Sequence, residues 1–202
     1  MTKEDIFWNW FKRNNSKYYY INQMIDLEQK EKVLDDFLNQ LHNYCDKLFF
    51  EIGGVPNEPQ ELIISAEGNK DYFHKVEALV SKAPNIDEWQ IIAFKPPMGV
   101  DFITEYEGIK MNPHEIWFLP LDNEKDPKAL GLRICLPNFD LKKEEIFLEG
   151  CYQLVDAILG EKSAALEINH IEVDKLPKNP DDKGLIELSE LSKYINWRKA
   201  KV

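Results

Sequence analysis

The sequence predicts an α+β protein: a single domain with a mixed, largely antiparallel sheet and helices packed mainly on one face. Helices are predicted at 28–48 and 140–160, because apolar residues recur there at helical spacing. A sheet is predicted because short apolar runs, bounded by glycine, proline or asparagine, lie between these helices. Hydrophobic residues make up 44% of the chain and charged residues 30%, so its 202 residues can bury a core.

We expect residues 1–202 to form one domain, since domains commonly hold about 150 residues. An aromatic N-terminal helix and arm occupies 1–27, a sheet-and-helix core occupies 28–176, and a polar linker with a C-terminal helix occupies 177–202. The last helix places three apolar residues on one side: Leu188, Leu191 and Ile195.

The N-terminal helix begins at a capping-box pattern, Thr2-x-x-Asp5. Its apolar stripe consists of Ile6, Phe7, Trp10 and Phe11. Trp8 falls outside this stripe, which leaves two interpretations. Either Trp8 joins a surface that binds a partner, or the whole helix is buried between the sheet and another helix. The aromatic segment 18–21 predicts a short strand or an extended packing arm.

The first half of the core follows the order strand, strand, helix, strand. After the amphipathic helix at 28–48, apolar runs predict strands at 48–52, 61–66 and 89–94. Asn69 is suited to cap the helix that separates the last two strands. Because this connection is a short helix, we expect a βαβ crossover with parallel strands.

The second half predicts more antiparallel pairing. Apolar runs indicate strands at 102–109, 116–119 and 130–136, which we expect to form a meander. A helix then runs from Asp140 to Gly160, and a strand follows at 165–173. The stripe of that helix comprises Phe147, Cys151, Leu154, Val155 and Ile158.

The order strand, strand, helix, strand therefore occurs twice, at 48–94 and at 116–173. An internal structural duplication around one sheet would explain the recurrence. Chance repetition of a common motif would explain it equally well. The side chains match poorly between the two segments, so the sequence leaves both explanations open.

Charge is concentrated in the middle of the chain. The net charge is −11, and residues 26–140 alone hold 22 acidic and 11 basic side chains. Nucleic-acid affinity depends largely on Lys and Arg neutralising phosphates, so we expect no nucleic-acid binding. An acidic surface attracts a basic protein partner or a cation, although the same charge also serves solubility alone.

The chain has three cysteines and no CxxC pair, which argues against a zinc ribbon or a thioredoxin-type site. Cys45, Cys135 and Cys151 stand among apolar neighbours, as buried reduced thiols do. The charged N-terminus lacks the apolar stretch of a secretory signal, and no apolar run approaches the ~18 residues of a membrane span. We expect a cytoplasmic protein that does not enter a membrane.

Four segments of the chain form distinctive motifs: Phe-Trp-Asn-Trp-Phe at 7–11, Leu-Phe-Phe-Glu-Ile at 48–52, Ile-Ser-Ala-Glu-Gly-Asn at 64–69, and Ala83-Pro84-x-x-x-x-Trp89. Together they resemble a family of uncharacterised bacterial cytoplasmic proteins. The resemblance covers most of the chain and is clearest across residues 5–95. It implies a bacterial single-domain protein of unknown function and transfers no catalytic residue.

The best candidate for a site is the Ser65–Asn69 turn, where a predicted strand ends before a helix. No GxSxG nucleophile elbow is present, because Glu67 precedes the glycine of this turn. Glu67 follows an apolar strand and is a candidate acid/base group if it is buried. The alternative is an ordinary strand end with a small residue packed under a helix. No phosphate-binding glycine motif occurs.

Metal-ligand patterns are weak. His170 and Glu172 share a face of a predicted strand, and Asp101, Glu105 and Glu107 share another if 101–109 is a strand. An acidic face of this kind could bind a divalent cation, but it is more often a solvated sheet face, because coordination needs ligands from several segments. The sequence thus predicts no catalytic, cofactor-binding or metal-binding residue and no cofactor.

The leading hypothesis is a non-enzymatic acidic module for protein interaction or regulation, which binds a protein partner. The alternative is a small-molecule-binding domain or hydrolase-like enzyme with its site near the Ser65–Asn69 turn. A homodimer formed through an aromatic patch is compatible with both.

Overall fold

The computed structural model describes residues 1–55, 58–123, 125–126 and 129–201. The fold is α+β, as predicted. The chain divides into two compact units, unit 1 at Met1–Lys95 and unit 2 at Pro96–Val202. The expectation that 1–202 behaves as one domain stays a prediction.

Unit 1 begins with helix α1 (Lys3–Asn14). The predicted capping box is present: the amide of Asp5 donates to Thr2 Oγ1 at 3.3 Å, and the amide of Thr2 donates to Asp5 Oδ2 at 2.7 Å. These two bonds satisfy backbone donors that the first helical turn cannot pair.

The aromatic segment after α1 is neither a strand nor an extended arm. It lies between two 3₁₀ turns at Asn15–Lys17 and Ile21–Gln23. Tyr18 explains the compact conformation, since its ring is fully buried 5.2 Å from that of Phe37 and its hydroxyl donates to Asp36 at 3.1 Å. Burying the ring in this aromatic cluster outweighs an extended conformation of the segment.

Helix α2 (Leu27–Tyr44) is the amphipathic helix that the sequence predicts. Asp26 caps it by accepting from the amide of Gln29 at 3.1 Å. The helix ends four residues earlier than predicted, because Cys45 is already extended. Leu48, predicted on the helix, is instead fully buried ahead of the first strand.

The sheet of unit 1 has the order β1-β2-β3. Strands β1 and β2 are antiparallel with Phe50 opposite Ile64, and β2 and β3 are parallel with Ile64 opposite Ala93. The parallel crossover over helix α3 confirms the βαβ prediction. The bounds are β1 Phe49–Gly53, β2 Gln60–Ser65, α3 Phe73–Val80 and β3 Trp89–Ala93.

Unit 2 opens with the hairpin β4–β5 and continues in a mixed sheet of order β8-β7-β6-β9. The expected meander is therefore divided between two sheets. The strand bounds are β4 Thr104–Tyr106, β5 Ile109–Met111, β6 Trp117–Asp122, β7 Leu130–Leu136, β8 Ile168–Lys175 and β9 Ile186–Glu187. The helices are α4 Glu144–Leu159, α5 Glu161–Glu167 and α6 Leu191–Lys199.

Residues 165–167 are helical, so the predicted strand at 165–173 begins only at Ile168. Gly160, with φ +76°, ends α4 and lets α5 start at the next residue. The core of unit 2 includes the predicted α4 stripe and the three apolar residues of the C-terminal segment. A Cβ on Gly150 would stand 2.5 Å from Met111 Cε, so this glycine lets α4 approach the hairpin closely.

Three strands in each unit have the same order and the same pairing directions. In unit 1, β1-β2-α3-β3 pairs its first two strands antiparallel and its last two parallel. In unit 2, β6, β7 and β8 repeat this arrangement, with α4 and α5 in the crossover. The recurrence noticed in the sequence is thus a repeated topology, although it is built around two sheets rather than one.

Candidate functional site

The Ser65–Asn69 turn joins β2 to the 3₁₀ turn that precedes α3. Its backbone closes through a bond of 2.9 Å from the amide of Asn69 to the carbonyl oxygen of Ala66. Both central residues have positive φ, +49° at Glu67 and +74° at Gly68. Ser65 is 0% exposed, and its Oγ accepts from the amide of Glu67 at 2.9 Å. Ser65 therefore holds the turn and does not meet solvent as a nucleophile must.

Lys95 links this turn to β1. Its ammonium lies 3.0 Å from Glu67 Oε1 and 3.2 Å from Glu51 Oε1. Burial acts to lower the pKa of Lys95, but the hydrogen bonds to Glu67 and Glu51 outweigh it and hold the pKa above its ordinary value. A lysine that keeps its proton in this way pairs with carboxylates and has no free lone pair with which to act as a nucleophile.

Phe94 follows β3 and sets the direction of the backbone at Lys95. It is a non-glycine residue with φ +68°, a conformation that costs free energy for a bulky side chain. Its amide donates to Ile64 at 2.8 Å, and its ring lies 4.7 Å from that of Phe73. The adjacent parallel strands β2 and β3 thus bring Glu67 and Lys95 together at their carboxyl ends.

A second candidate is the acidic stripe on the exposed side of α2, which consists of Glu28, Glu31, Asp35 and Asp36. Lys32 is paired with Glu28 at 2.6 Å, and Asp36 accepts from Tyr18. Within the described residues, Glu31 and Asp35 have no ion-pair partner. The stripe therefore presents uncompensated negative charge to solvent.

Trp8 does not lie on a partner surface, contrary to one of the two interpretations of its position. It is 3% exposed, and its Nε1 donates to the carbonyl oxygen of Leu79 at 2.7 Å. Its ring lies 4.9 Å from that of Phe7. Ile6, expected on the buried stripe, is largely exposed instead. Other exposed apolar side chains in unit 1 include Tyr20, Ile25, Leu27 and Val55.

An open groove of about 520 Å³ lies beside α1 in unit 1. Its lining combines Lys12 and Lys82 with Asp5 and the edge of Trp8. Lys82 is engaged with Glu4 at 3.1 Å and with Thr2 Oγ1 at 3.1 Å. This internal pairing leaves the groove without a concentrated charge of either sign.

Unit 2 contains a polar cluster that the sequence did not predict. The ring of His114 lies 3.0 Å from Asp101 through Nε2 and 3.0 Å from Glu187 through Nδ1. Hydrogen bonds to Asp101 and Glu187 hold the pKa of His114 above its ordinary value. Ser189 donates to Glu187 and not to the histidine, so the order of a catalytic triad is absent. No spacing signal exists for this cluster, because its members come from distant segments.

The acidic face expected at 101–109 does not form. Strand β4 starts at Thr104, Asp101 precedes it, and Glu107 lies in the hairpin turn with φ +47°. The tight turn at Glu107 and Gly108 interrupts the alternation that would have aligned the carboxylates.

His170 and Glu172 do share a face of β8, with His170 Nε2 3.8 Å from Glu172 Oε2. Arg133 pairs with the same carboxylate. In the part of the chain that the structure describes, no three His, Cys, Asp or Glu side chains are placed to hold a metal ion.

The three cysteines are free thiols. Cys135 and Cys151 are buried as predicted, while Cys45 is only half-buried. Burial raises the pKa of Cys135 to about 11 and that of Cys151 to about 12. Both therefore stay protonated near neutral pH and are poor nucleophiles and metal ligands.

Comparison of the chain with models of known families, with curated proteins and with solved structures finds no match. Across residues 1–55, 58–123, 125–126 and 129–201, no helix combines the length and the apolar character needed to cross a membrane.

Proposed function

We propose that this protein is a non-enzymatic cytoplasmic module that binds a basic protein partner through its acidic surface. The observation that supports the proposal is the acidic stripe of α2, whose Glu31 and Asp35 have no ion-pair partner within the described residues. Opposite charge steers association and sets specificity, and it needs no catalytic group.

The state of the candidate nucleophiles agrees with this proposal. Ser65 is buried under its own turn, Cys135 and Cys151 hold their protons, and Lys95 is clamped between two carboxylates. Each of these groups has a structural role that explains its position.

Charge reversal on the stripe tests the proposal. We expect Glu31→Lys combined with Asp35→Lys to weaken the partner's binding by about tenfold, because each reversal removes an attraction of about 0.2–1 kcal/mol and replaces it by a comparable repulsion. The partner is isolated with the gently purified protein from its host, identified by mass spectrometry and titrated by calorimetry. The control reverses Asp181 and Asp182, which are exposed outside the acidic segment.

Binding should also weaken as the salt concentration rises, because exposed charges are screened beyond about 10 Å at 0.1 M ionic strength. The proposal is overturned if the reversal leaves the dissociation constant unchanged. It is equally overturned if no basic polypeptide accompanies the protein.

One observation supports a second candidate, a small-molecule-binding domain or hydrolase-like enzyme at the Ser65–Asn69 turn. Ligands of α/β proteins often bind beyond the carboxyl ends of parallel strands, and here Glu67 and Lys95 meet at such a place. Glu67 would be the acid/base group of this candidate, but its side chain is 50% exposed and paired with Lys95, so it lacks the burial on which that role was expected to depend. Native mass spectrometry should then show a small co-purifying mass that Glu67→Gln abolishes and the exposed control Glu88→Gln retains. A bare protein in all three samples would exclude this candidate.

A further inference from the structure

Strand β8 is the outer strand of the unit 2 sheet, with β7 as its only strand neighbour among the described residues. It is eight residues long and contains no proline. Asn169, His170, Asp174 and Lys175 are exposed along it. A long edge strand carries unpaired backbone groups, which makes it a place where another strand can add.

Its hydrogen-bonding pattern identifies the backbone groups that face outwards. The amide of Leu176 donates to Leu136 of the neighbouring chain segment at 2.9 Å. In a parallel pair the residues that bond to one neighbour alternate along the strand, so Glu172 and Asp174 also bond to β7. Ile171 and Val173 therefore present their N–H and C=O groups to the open edge. The amide of Lys175 is engaged by Asp174 Oδ1 at 2.7 Å, which closes one end of this edge.

We infer that β8 pairs antiparallel with β8 of a second copy of this chain, about a two-fold axis at Ile171. Such a dimer joins two four-stranded sheets into one continuous sheet. The outward N–H and C=O groups of Ile171 then bond to the same groups of its symmetry mate. This edge lies outside the acidic stripe, so the dimer does not depend on the proposed function.

Charge disfavours the registers on the C-terminal side of Ile171. With the axis at Ile171, His170 lies opposite Glu172 of the second copy, and the pair occurs twice. An axis at Glu172 would oppose two glutamates, and an axis at Val173 would oppose Glu172 and Asp174. Opposite charges stabilise directly facing cross-strand pairs and like charges destabilise them. Of these three axes, the one at Ile171 is the one that avoids facing carboxylates while it bonds the outward groups.

The geometry of Glu172 fits the same register. Arg133 pairs with its carboxylate from β7, on the inner side of the strand. Its Oε2 lies 3.8 Å from His170 of its own chain, and His170 is largely exposed. The histidine of a second copy would approach from the open side, so the carboxylate would lie between Arg133 of its own chain and a ring N–H donor of the second copy.

Disulfide trapping tests the register. In the proposed dimer, residues 170 and 172 of opposite copies form a non-hydrogen-bonded pair, with Cα atoms about 4.5 Å apart, within disulfide range. We expect a mixture of His170→Cys and Glu172→Cys proteins to cross-link about tenfold faster than a mixture of His170→Cys and Asp174→Cys. Glu172→Cys alone should cross-link as slowly as this control. Equal rates in all mixtures would overturn the proposal.

Sedimentation of the wild type and two variants tests the dimer itself. Val173→Pro removes an outward N–H without removing a bond to β7, and it should raise the dimer dissociation constant by about tenfold or more. Val173→Ala is the matched control, because it shortens the same side chain and keeps the N–H. Circular dichroism checks that each variant folds.

His170→Glu provides a second variant in case the proline prevents folding, since it places like charges across the interface. It too should weaken the dimer by about tenfold. A purified wild-type protein that stays monomeric up to high micromolar concentration overturns the proposal. So does a dimer that both Val173→Pro and His170→Glu leave intact.

Discussion

Within unit 1, the indole of Trp8 in α1 donates a hydrogen bond of 2.7 Å to the carbonyl oxygen of Leu79 in α3 and so holds the two helices together. We expect Trp8→Phe to lower the free energy of unfolding by about 1–2 kcal/mol, because a buried hydrogen bond is lost while most of the ring is kept. Urea denaturation measures the change. The control is Trp197→Phe, since Trp197 is 52% exposed and its ring lies beside Tyr194 and the exposed Lys201. An equal effect of both substitutions would contradict this role of Trp8.

Glu4 gives the molecule a specific sensitivity to acid. Hydrogen bonds from Thr2, the helix backbone and Lys82 lower its pKa from 4.5 to about 2. A carboxyl group whose pKa is lower in the folded state stabilises the fold above its unfolded pKa, and this contribution is lost as pH falls through the folded value. Urea midpoints should therefore fall between pH 4.5 and about 2 more steeply in the wild type than in Glu4→Gln. Glu28→Gln, in an exposed pair with Lys32, should keep the wild-type slope.

At the scale of elements, His114 connects the loop at Asp101 to the two-residue strand β9. Its pKa is raised above 6.5 by the hydrogen bonds to Asp101 and Glu187. A histidine whose pKa is higher in the folded state stabilises the fold fully below its unfolded pKa and loses this contribution as pH rises through the folded value. We expect its imidazole NMR signals to titrate above pH 6.5, and Glu187→Gln to move the midpoint down. A midpoint that Glu187→Gln leaves unchanged would show that the contact does not persist in solution.

Several helices and strands could be placed from local sequence patterns alone. Helices α2 and α4 and strands β1, β2, β3 and β7 lie close to their predicted positions, because their apolar residues recur at the period of the structure they adopt. The errors are found where tertiary packing overrides local preference. Burial of Tyr18 replaces a strand by 3₁₀ turns, and Gly160 permits a second helix where a strand was expected.

At the scale of the whole molecule, the repeated topology suggests that each unit carries its own folding information. The buried core of unit 2 includes residues from Ile109 to Ile195, and Val100, Phe102 and Tyr106 of the same unit pack against it. Compact units with their own core fold alone as a rule. We expect fragments 1–95 and 96–202, expressed separately, each to give dispersed amide NMR spectra and cooperative thermal unfolding.

The same experiment decides between this expectation and the prediction of one domain over 1–202. If both fragments remain unfolded while the full chain unfolds in one transition, the chain is a single cooperative domain. If only one fragment folds, the other depends on its neighbour for stability.

The sequence by itself determined the α+β class, the main helices and strands, the parallel crossover and the excess of negative charge. All of these follow from periodicity, turn residues and composition, which are local properties of the chain. The repeated strand order was visible too, although only the structure showed that both copies have the same pairing directions.

Only the tertiary structure decided the chemistry of the candidate sites. The sequence selected the Ser65–Asn69 turn but could not show that Ser65 is buried or that Lys95 neutralises Glu67. It gave no sign of the His114 cluster, and it could not place Trp8 in the core. The physical reason is that burial, pKa and hydrogen bonding depend on contacts between segments that are distant in the sequence. The spacing of residues along the chain does not specify these contacts.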